Sequence, residues 1–284
     1  MASIVAMIGM THIPFYSRMT SPPREQWPPL VVNMMDHNAH VGGMLKQARP
    51  DCLLVVAHDH LNQFFMHNMP AFIIGKMDSY DGTFNHEAHN YGLPRVHLQG
   101  DRELAVWLLE EGMRRGVDFA YSSEMKVDHS VVVPLMMLDC LDLPIVPLMS
   151  NCIAPPIPTA ARFHQVGEVM RAALSAFAVD KRVAVVVSGH LSLEVGGPVP
   201  ATMQAGAPDP EFDERAAQWI AGARVEEAIA GCDFDKLLES GNLSHGFLNY
   251  LLALGLAGDR APDEVKVIPT LRGALPYFWW EPVA

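Results

Sequence analysis

Histidine is the residue type that could do chemistry in this chain, and thirteen are present. His12 lies in Gly9-Met10-Thr11-His12-Ile13-Pro14, directly after an apolar run. His58 and His60 flank Asp59 after Val55-Val56-Ala57, and His190 follows Val187-Ser188-Gly189. His129, in Val127-Asp128-His129-Ser130, stands at the head of a further apolar run. Neutral imidazole binds iron, zinc, copper or nickel, and it titrates near neutrality. Two imidazoles and one carboxylate on one face of an ion leave open positions for a substrate and O₂. A single histidine after a strand reads most simply as a turn residue bonded to backbone. Three strand ends that carry one point together to a site, because ligands of α/β sheets gather outside the carboxyl ends of strands. In His58-Asp59-His60 alternate residues share a face only while the strand stays regular, so spacing alone does not choose between the two imidazoles. His86 and His89 fall in a long polar stretch and read as solvated.

The elements that must position these residues follow from patterning. Strand-like runs occur at Ser3–Met10, Cys52–Ala57, Ala71–Gly75, Pro144–Met149, Arg182–Ser188 and Val265–Thr270. Several are almost continuously apolar, as strands covered on both faces are. Helical patterns alternate with them at Leu30–Arg49, Asp101–Arg115, Thr159–Phe177, Glu211–Arg224 and Ser244–Leu256. Asp101 is placed to cap its helix, with Gly116 just past the end. The alternation predicts an α/β fold, a single domain over residues 1–284 with a mostly buried central sheet flanked by helices. Asp78–Gly100 and Gly196–Pro210 read as long loops belonging to a site or an interface. The aromatic cluster Pro276-Tyr277-Phe278-Trp279-Trp280 fits core packing and a subunit interface equally.

Composition narrows the function classes. Half of the 284 residues are apolar and only 18% are charged, which excludes a disordered chain. With 20 basic and 32 acidic residues the formal charge is −12, which argues against nucleic acid or an anionic membrane as partner. The apolar runs are too short to span a bilayer, and the N-terminus lacks the charged segment of a secretory signal, so a cytoplasmic protein is expected. Cys52, Cys140, Cys152 and Cys232 form no Cys-x-x-Cys pair and read as buried thiols.

At its histidine-bearing segments the chain resembles the class III extradiol ring-cleavage dioxygenases of the LigB-type superfamily. The resemblance covers nearly the whole length. Thr11-His12-Ile13-Pro14 matches the Ser-His-x-Pro motif after the first strand. Asp59-His60 followed by Leu61-Asn62-Gln63-Phe64-Phe65 matches the second motif, and Val127-Asp128-His129-Ser130 with Pro134 the third. The resemblance implies a LigB-like fold with His12 and His60 as ligands of a non-haem Fe(II), another divalent ion being the alternative. It further implies oxygen-dependent opening of a catecholic or phenolic acid, with His129 lining the pocket as a catalytic group. His58, Phe64 and Tyr16 are the candidates for substrate binding, with Phe65 and Trp27 as further wall residues, and core packing explains the four aromatic ones equally. Homo-oligomers or a small helical lid subunit are the implied assemblies.

Two positions depart from the family pattern. The family's base histidine ends a Gly-Gly-(Leu/Met)-Ser-His stretch, which here reads Gly189-His190-Leu191-Ser192-Leu193-Glu194, so Leu193 occupies its place. The family's glutamate ligand aligns with Gly246 in Leu243-Ser244-His245-Gly246-Phe247. His245, Glu239 or Glu194 is therefore the expected third ligand, with His190 as the base. A metal-dependent, O₂-independent lyase, decarboxylase or hydrolase, or a catalytically degenerate partner subunit, are the alternatives.

Overall fold

A computed structural model describes residues 1–195, 209–270 and 273–283. Its first half contains β1 (Ser3–Met10), α1 (Tyr16–Thr20), α2 (Pro29–Ala48), β2 (Cys52–His58), β3 (Phe72–Gly75), β4 (Ser79–Gly82), α3 (Asn85–Tyr91), β5 (Val96–Gln99), α4 (Arg102–Arg114), β6 (Ala120–Ser122) and α5 (His129–Met137). The second half contains β7 (Ile145–Ser150), α6 (Ala160–Ser175), β8 (Arg182–Ser188), α7 (Pro210–Ala221), α8 (Val225–Gly231), α9 (Phe234–Glu239), α10 (Leu248–Ala257), β9 (Glu264–Thr270) and β10 (Gly273–Trp280).

One large sheet has the order β6-β3-β7-β2-β8-β1-β10-β9. Its centre, β7-β2-β8-β1, is parallel, while β3 against β7 and the β1-β10-β9 edge are antiparallel. The near-continuous apolar runs serve both faces by alternation. In β2, Cys52, Leu54 and Val56 face one core, while Leu53, Val55 and Ala57 face the other. The first core is covered by α4, α6, α7 and α10, the second chiefly by α2 and α5. A register irregularity between Ile4 and Ala6 shifts the phase of β1.

Local signals place the helices as expected. Asp101 accepts from Leu104 N at the start of α4, and Thr159 caps α6 in the same way. α10 is buried along its whole length, which explains its lack of a polar stripe. It packs closely on α6, because Gly167 and Gly255 bring each helix against the other's backbone. The Asp78–Gly100 stretch is not a bare loop: it folds as the β4-β5 ribbon around α3. Most of Gly196–Pro210 lies outside the described residues. The aromatic cluster belongs to β10, between β1 and β9, with Phe278 and Trp280 in one core and Tyr277 and Trp279 in the other. Burial on both faces makes it core, and the interface reading of these side chains is thereby corrected. All four cysteines are free and buried.

Candidate metal centre

β2, β8 and β1 are neighbours and parallel, so their carboxyl ends open on one edge of the sheet. His58 is the last residue of β2 and His60 lies just beyond it. His190 follows β8, and His12 follows β1. The four rings converge, with one nitrogen of each within 4.8 Å of the others. His12 Nε2 is 3.3 Å from His60 Nε2 and 3.0 Å from His190 Nε2, and His58 Nε2 is buried with no hydrogen-bond partner. Nitrogens about 2.0–2.1 Å from one ion lie roughly 3 Å apart, so the group fits a divalent cation by spacing and by donor type.

Each ring has a partner at its other nitrogen, and for His12, His60 and His190 that partner is an oxygen, as for metal-binding imidazoles. His12 Nδ1 meets Ser188 Oγ at 2.7 Å, and His190 Nδ1 meets Thr11 Oγ1 at 2.8 Å. His60 Nδ1 donates to Asp128 Oδ2 at 3.0 Å, and Asn249 Nδ2 approaches His58 Nδ1 at 3.4 Å. Burial, then repulsion from neighbouring imidazoles, pushes His12 and His58 well below the usual value. The same causes lower His60, against the pull of Asp128, and take His190 down to about 3. The rings are therefore neutral, the form that carries a lone pair for a metal.

Asp128 ties the centre to α5. Its Oδ1 accepts from Ser130 N and Oγ, and its Oδ2 from His60 N, His60 Nδ1 and Asn62 Nδ2. Burial alone would raise its carboxyl, but the His60 ring and these donors hold it well below the carboxylate range. Asp59 shapes the turn that follows His60 by accepting from the backbone of Asn62, Gln63 and Phe64. Burial and the nearby Asp128 charge push Asp59 up to about 6.

His129 opens α5 with its ring 4.1 Å from that of His60, centroid to centroid. Glu87 Oε1 accepts from His129 N at 2.9 Å and from His129 Nδ1 at 2.5 Å, while its Oε2 accepts from Phe84 N. Glu87 is fully buried between the exposed His86 and His89 of α3. Tyr91, at the end of the same helix, sets its ring 5.8 Å from that of His129 and 5.1 Å from Phe15.

The three sequence-derived choices for a third ligand fall outside this group. His245 stacks on Phe234 and donates from Nε2 to the Phe234 carbonyl at 3.0 Å. Glu239 is exposed at the end of α9, and Glu194 is half-buried beyond β8, neither among the converging ligand atoms. Gly246 does reach the centre. A Cβ there would stand 3.0 Å from His190 Cδ2 and 3.3 Å from His58 Cε1. Phe64 is half-buried and packs on the second core, and Tyr16 is buried in that core beside Asn38. Tyr16 is thus a packing residue rather than part of a pocket wall. Sequence reasoning missed Asn249 and Glu87. Asn249 was signalled by one amide inside the otherwise apolar Leu248–Ala257, whereas Glu87 between two solvated histidines carried no signal.

This architecture and this histidine edge define a family. A sequence profile of the catalytic LigB subunit of aromatic ring-opening dioxygenases matches residues 6–273, and the chain belongs to that family. Among curated relatives, 2,3-dihydroxyphenylpropionate/2,3-dihydroxicinnamic acid 1,2-dioxygenase of Mycolicibacterium smegmatis is 31% identical over 207 residues, 72% of this chain and 62% of that one. The enzyme of the same name from Photorhabdus laumondii is 33% identical over 60% of this chain and 50% of its own. That from Cupriavidus necator is 31% identical over 80% of this chain and 76% of its own. The matched segment thus spans only half to three-fifths of the first two relatives. An uncharacterized protein from Escherichia coli K12 shares the fold, with a TM-score of 0.58 at 15% identity over 96% of this chain and 99% of that one. Among the described residues no helix is long and apolar enough to cross a membrane.

Proposed function

We propose that this chain is an extradiol-type dioxygenase that opens a catecholic or phenolic aromatic acid with O₂, using Fe(II) in an altered ligand set. The observation that carries the reading is the 3.3 Å approach of His12 Nε2 to His60 Nε2 in a member of the ring-opening LigB family. A bound Fe(II) would supply the charge and redox character that let an aromatic diolate and O₂ react at one site. The protein's own part is positioning and proton handling. Asp128 and Ser188 hold the His60 and His12 rings with their Nε2 atoms toward the shared point. His129, fixed by Glu87, lies beside His60 and is set to exchange a proton with a substrate hydroxyl. Tyr91 lies beside it and Phe15 packs edge-to-face on Tyr91, an aromatic surround suited to a planar ring.

Anaerobic reconstitution with Fe(II), followed by oxygen uptake with a panel of catecholic acids, tests the reading. Uptake matched by a yellow ring-fission product is expected, and failure of the wild-type chain to bind any divalent metal across the neutral range overturns it. A second reading, metal-dependent cleavage or decarboxylation without O₂, is favoured by one feature: among the described residues the group of four converging imidazoles contains no carboxylate, Asp128 grouping instead with His60 and His129. Turnover under argon would establish it. A degenerate partner subunit would instead be inactive alone and active only with a homologous chain. We also propose a cytoplasmic enzyme that self-associates or binds a small lid subunit, which sedimentation of the purified chain checks.

A further inference from the structure

We infer that His12, His60 and His190 are the protein's metal ligands, and that His58 is a hydrogen-bond donor aimed at an oxygen atom of whatever binds beside them. The inference rests on the metal-dependent reading above and specifies which imidazole does what.

The hydrogen bonds behind the rings separate the four. Carboxylate oxygen only accepts, so His60 Nδ1 carries the proton it gives to Asp128, and the lone pair is on Nε2. Hydroxyl oxygens accept as well as donate, so Ser188 Oγ and Thr11 Oγ1 allow the same tautomer in His12 and His190. His58 is different because its Nδ1 faces an amide nitrogen. The orientation of Asn249 is fixed by a backbone carbonyl: Nδ2 donates to Ser188 O at 2.8 Å, which leaves Oδ1 to accept from Ser150 Oγ at 2.7 Å. Flipping the amide would set two carbonyl oxygens 2.8 Å apart. An amide nitrogen has no lone pair to offer, so His58 Nδ1 is the acceptor and its proton sits on Nε2. That nitrogen is buried and has no partner in the protein. A buried donor without an acceptor is costly unless a ligand completes it.

Gly246 makes this arrangement fit. A Cβ at that position would crowd the His190 and His58 rings, so the glycine aligned with the family's glutamate makes room for imidazole rather than carboxylate. Three neutral ligands leave a divalent ion its full charge. Together with a hydrogen-bond donor at its side, that favours a chelating, deprotonated aromatic diol over a neutral phenol or ether.

Metal binding to the full-length apo chain tests the assignment without reference to turnover. Titration calorimetry with Co(II) alone should show His190→Ala and His190→Gln weakened at least about 100-fold, as for His12→Ala, since loss of a supporting partner already costs 10–100-fold. His58→Ala should hold Co(II) within about threefold of wild type. It should bind the chelating probe 4-nitrocatechol on the Co(II) form about tenfold more weakly, the loss of one hydrogen bond to a charged oxygen, and His58→Gln should restore part of it. Pulsed EPR of the Cu(II)-loaded wild-type chain should count three imidazoles, a readout independent of how any variant folds. A count of two or four, undiminished Co(II) affinity in the His190 variants, or loss of Co(II) in His58→Ala overturns the assignment while leaving the dioxygenase reading standing. A wild-type chain that binds no metal removes both.

Discussion

At the scale of single residues the centre depends on two buried carboxylates that touch imidazole, Asp128 on His60 and Glu87 on His129. Both oxygens of Asp128 are surrounded by donors, so an amide at this position must turn its NH₂ toward N–H or O–H groups whichever way it lies. Asp128→Asn should therefore cost about 1–3 kcal/mol of stability and weaken divalent-metal binding about 10–100-fold, read by thermal melting and calorimetry. Glu87 divides its work between two partners: Oε1 holds His129, and Oε2 holds Phe84 N. Glu87→Gln can keep the His129 bonds by turning its NH₂ to the Phe84 side, whereas Glu87→Ala frees the ring. The alanine variant should lose at least about tenfold in kcat, in line with the weight of a positioned proton-transfer group, with metal content unchanged. The glutamine variant should fall between it and wild type. Equal losses in the two would mean that His129 needs no orienting partner. The histidines were legible in the sequence because each adjoins an apolar run, but their division of labour was not. That division is set by Asn249, Ser188, Thr11 and Glu87, which reach the rings only after folding and lie up to 191 residues away along the chain.

At the scale of elements the three histidine-bearing strand ends coincide because β8 lies between β2 and β1. The strand runs themselves could be read directly, since β1 and β8 have the bounds their apolar stretches predict. Strand order could not be read, because it depends on which helices cross which face. β10 reads in the sequence as a cluster of aromatics, because burial on both faces removes the alternation that marks a strand. β4 and β5 read as loop in the sequence, being short and polar. The element that closes the site from behind is α10, which carries Asn249, preceded by the turn that holds Gly246. Its distance from the sheet is set by the contact with α6. A Cβ on Gly167 would lie 2.1 Å from Leu252 O, and one on Gly255 would lie 2.2 Å from His164 O. Backbone cannot yield as a flexible side chain does, so Gly167→Ala must push the helices apart. A loss of about 1–3 kcal/mol is expected, typical of an overpacked core. Because α10 moves with it, metal affinity should fall as well, although position 167 touches no imidazole. A purely local effect would lower the melting temperature and leave the metal isotherm unchanged.

At the scale of the whole molecule, the imidazoles join segments that are far apart in sequence: His12, His58 with His60, and His190 come from three strands on one sheet edge. An ion held by all three stabilises only the folded chain, because the unfolded chain does not hold these rings in one place. The stabilisation is fixed by mass action, about 4 kcal/mol when free metal is about 1,000 times its dissociation constant. For a chain of this size that corresponds to a rise of order 10 °C in the melting temperature. The rise should depend on metal concentration and vanish with chelator. The sheet needs no metal to assemble, since its two cores are built from apolar side chains of β1, β2, β7 and β8 and the helices that cover them. The apo chain should therefore stay folded, and urea denaturation should show the same slope with and without metal, only the midpoint moving. A slope that changes on chelation would mean that part of the molecule opens when the ion leaves. An unmoved midpoint would mean that the converging imidazoles hold no ion, and the hydrogen bond offered by His58 and the proton exchange assigned to His129 would then have no metal-bound substrate to act on.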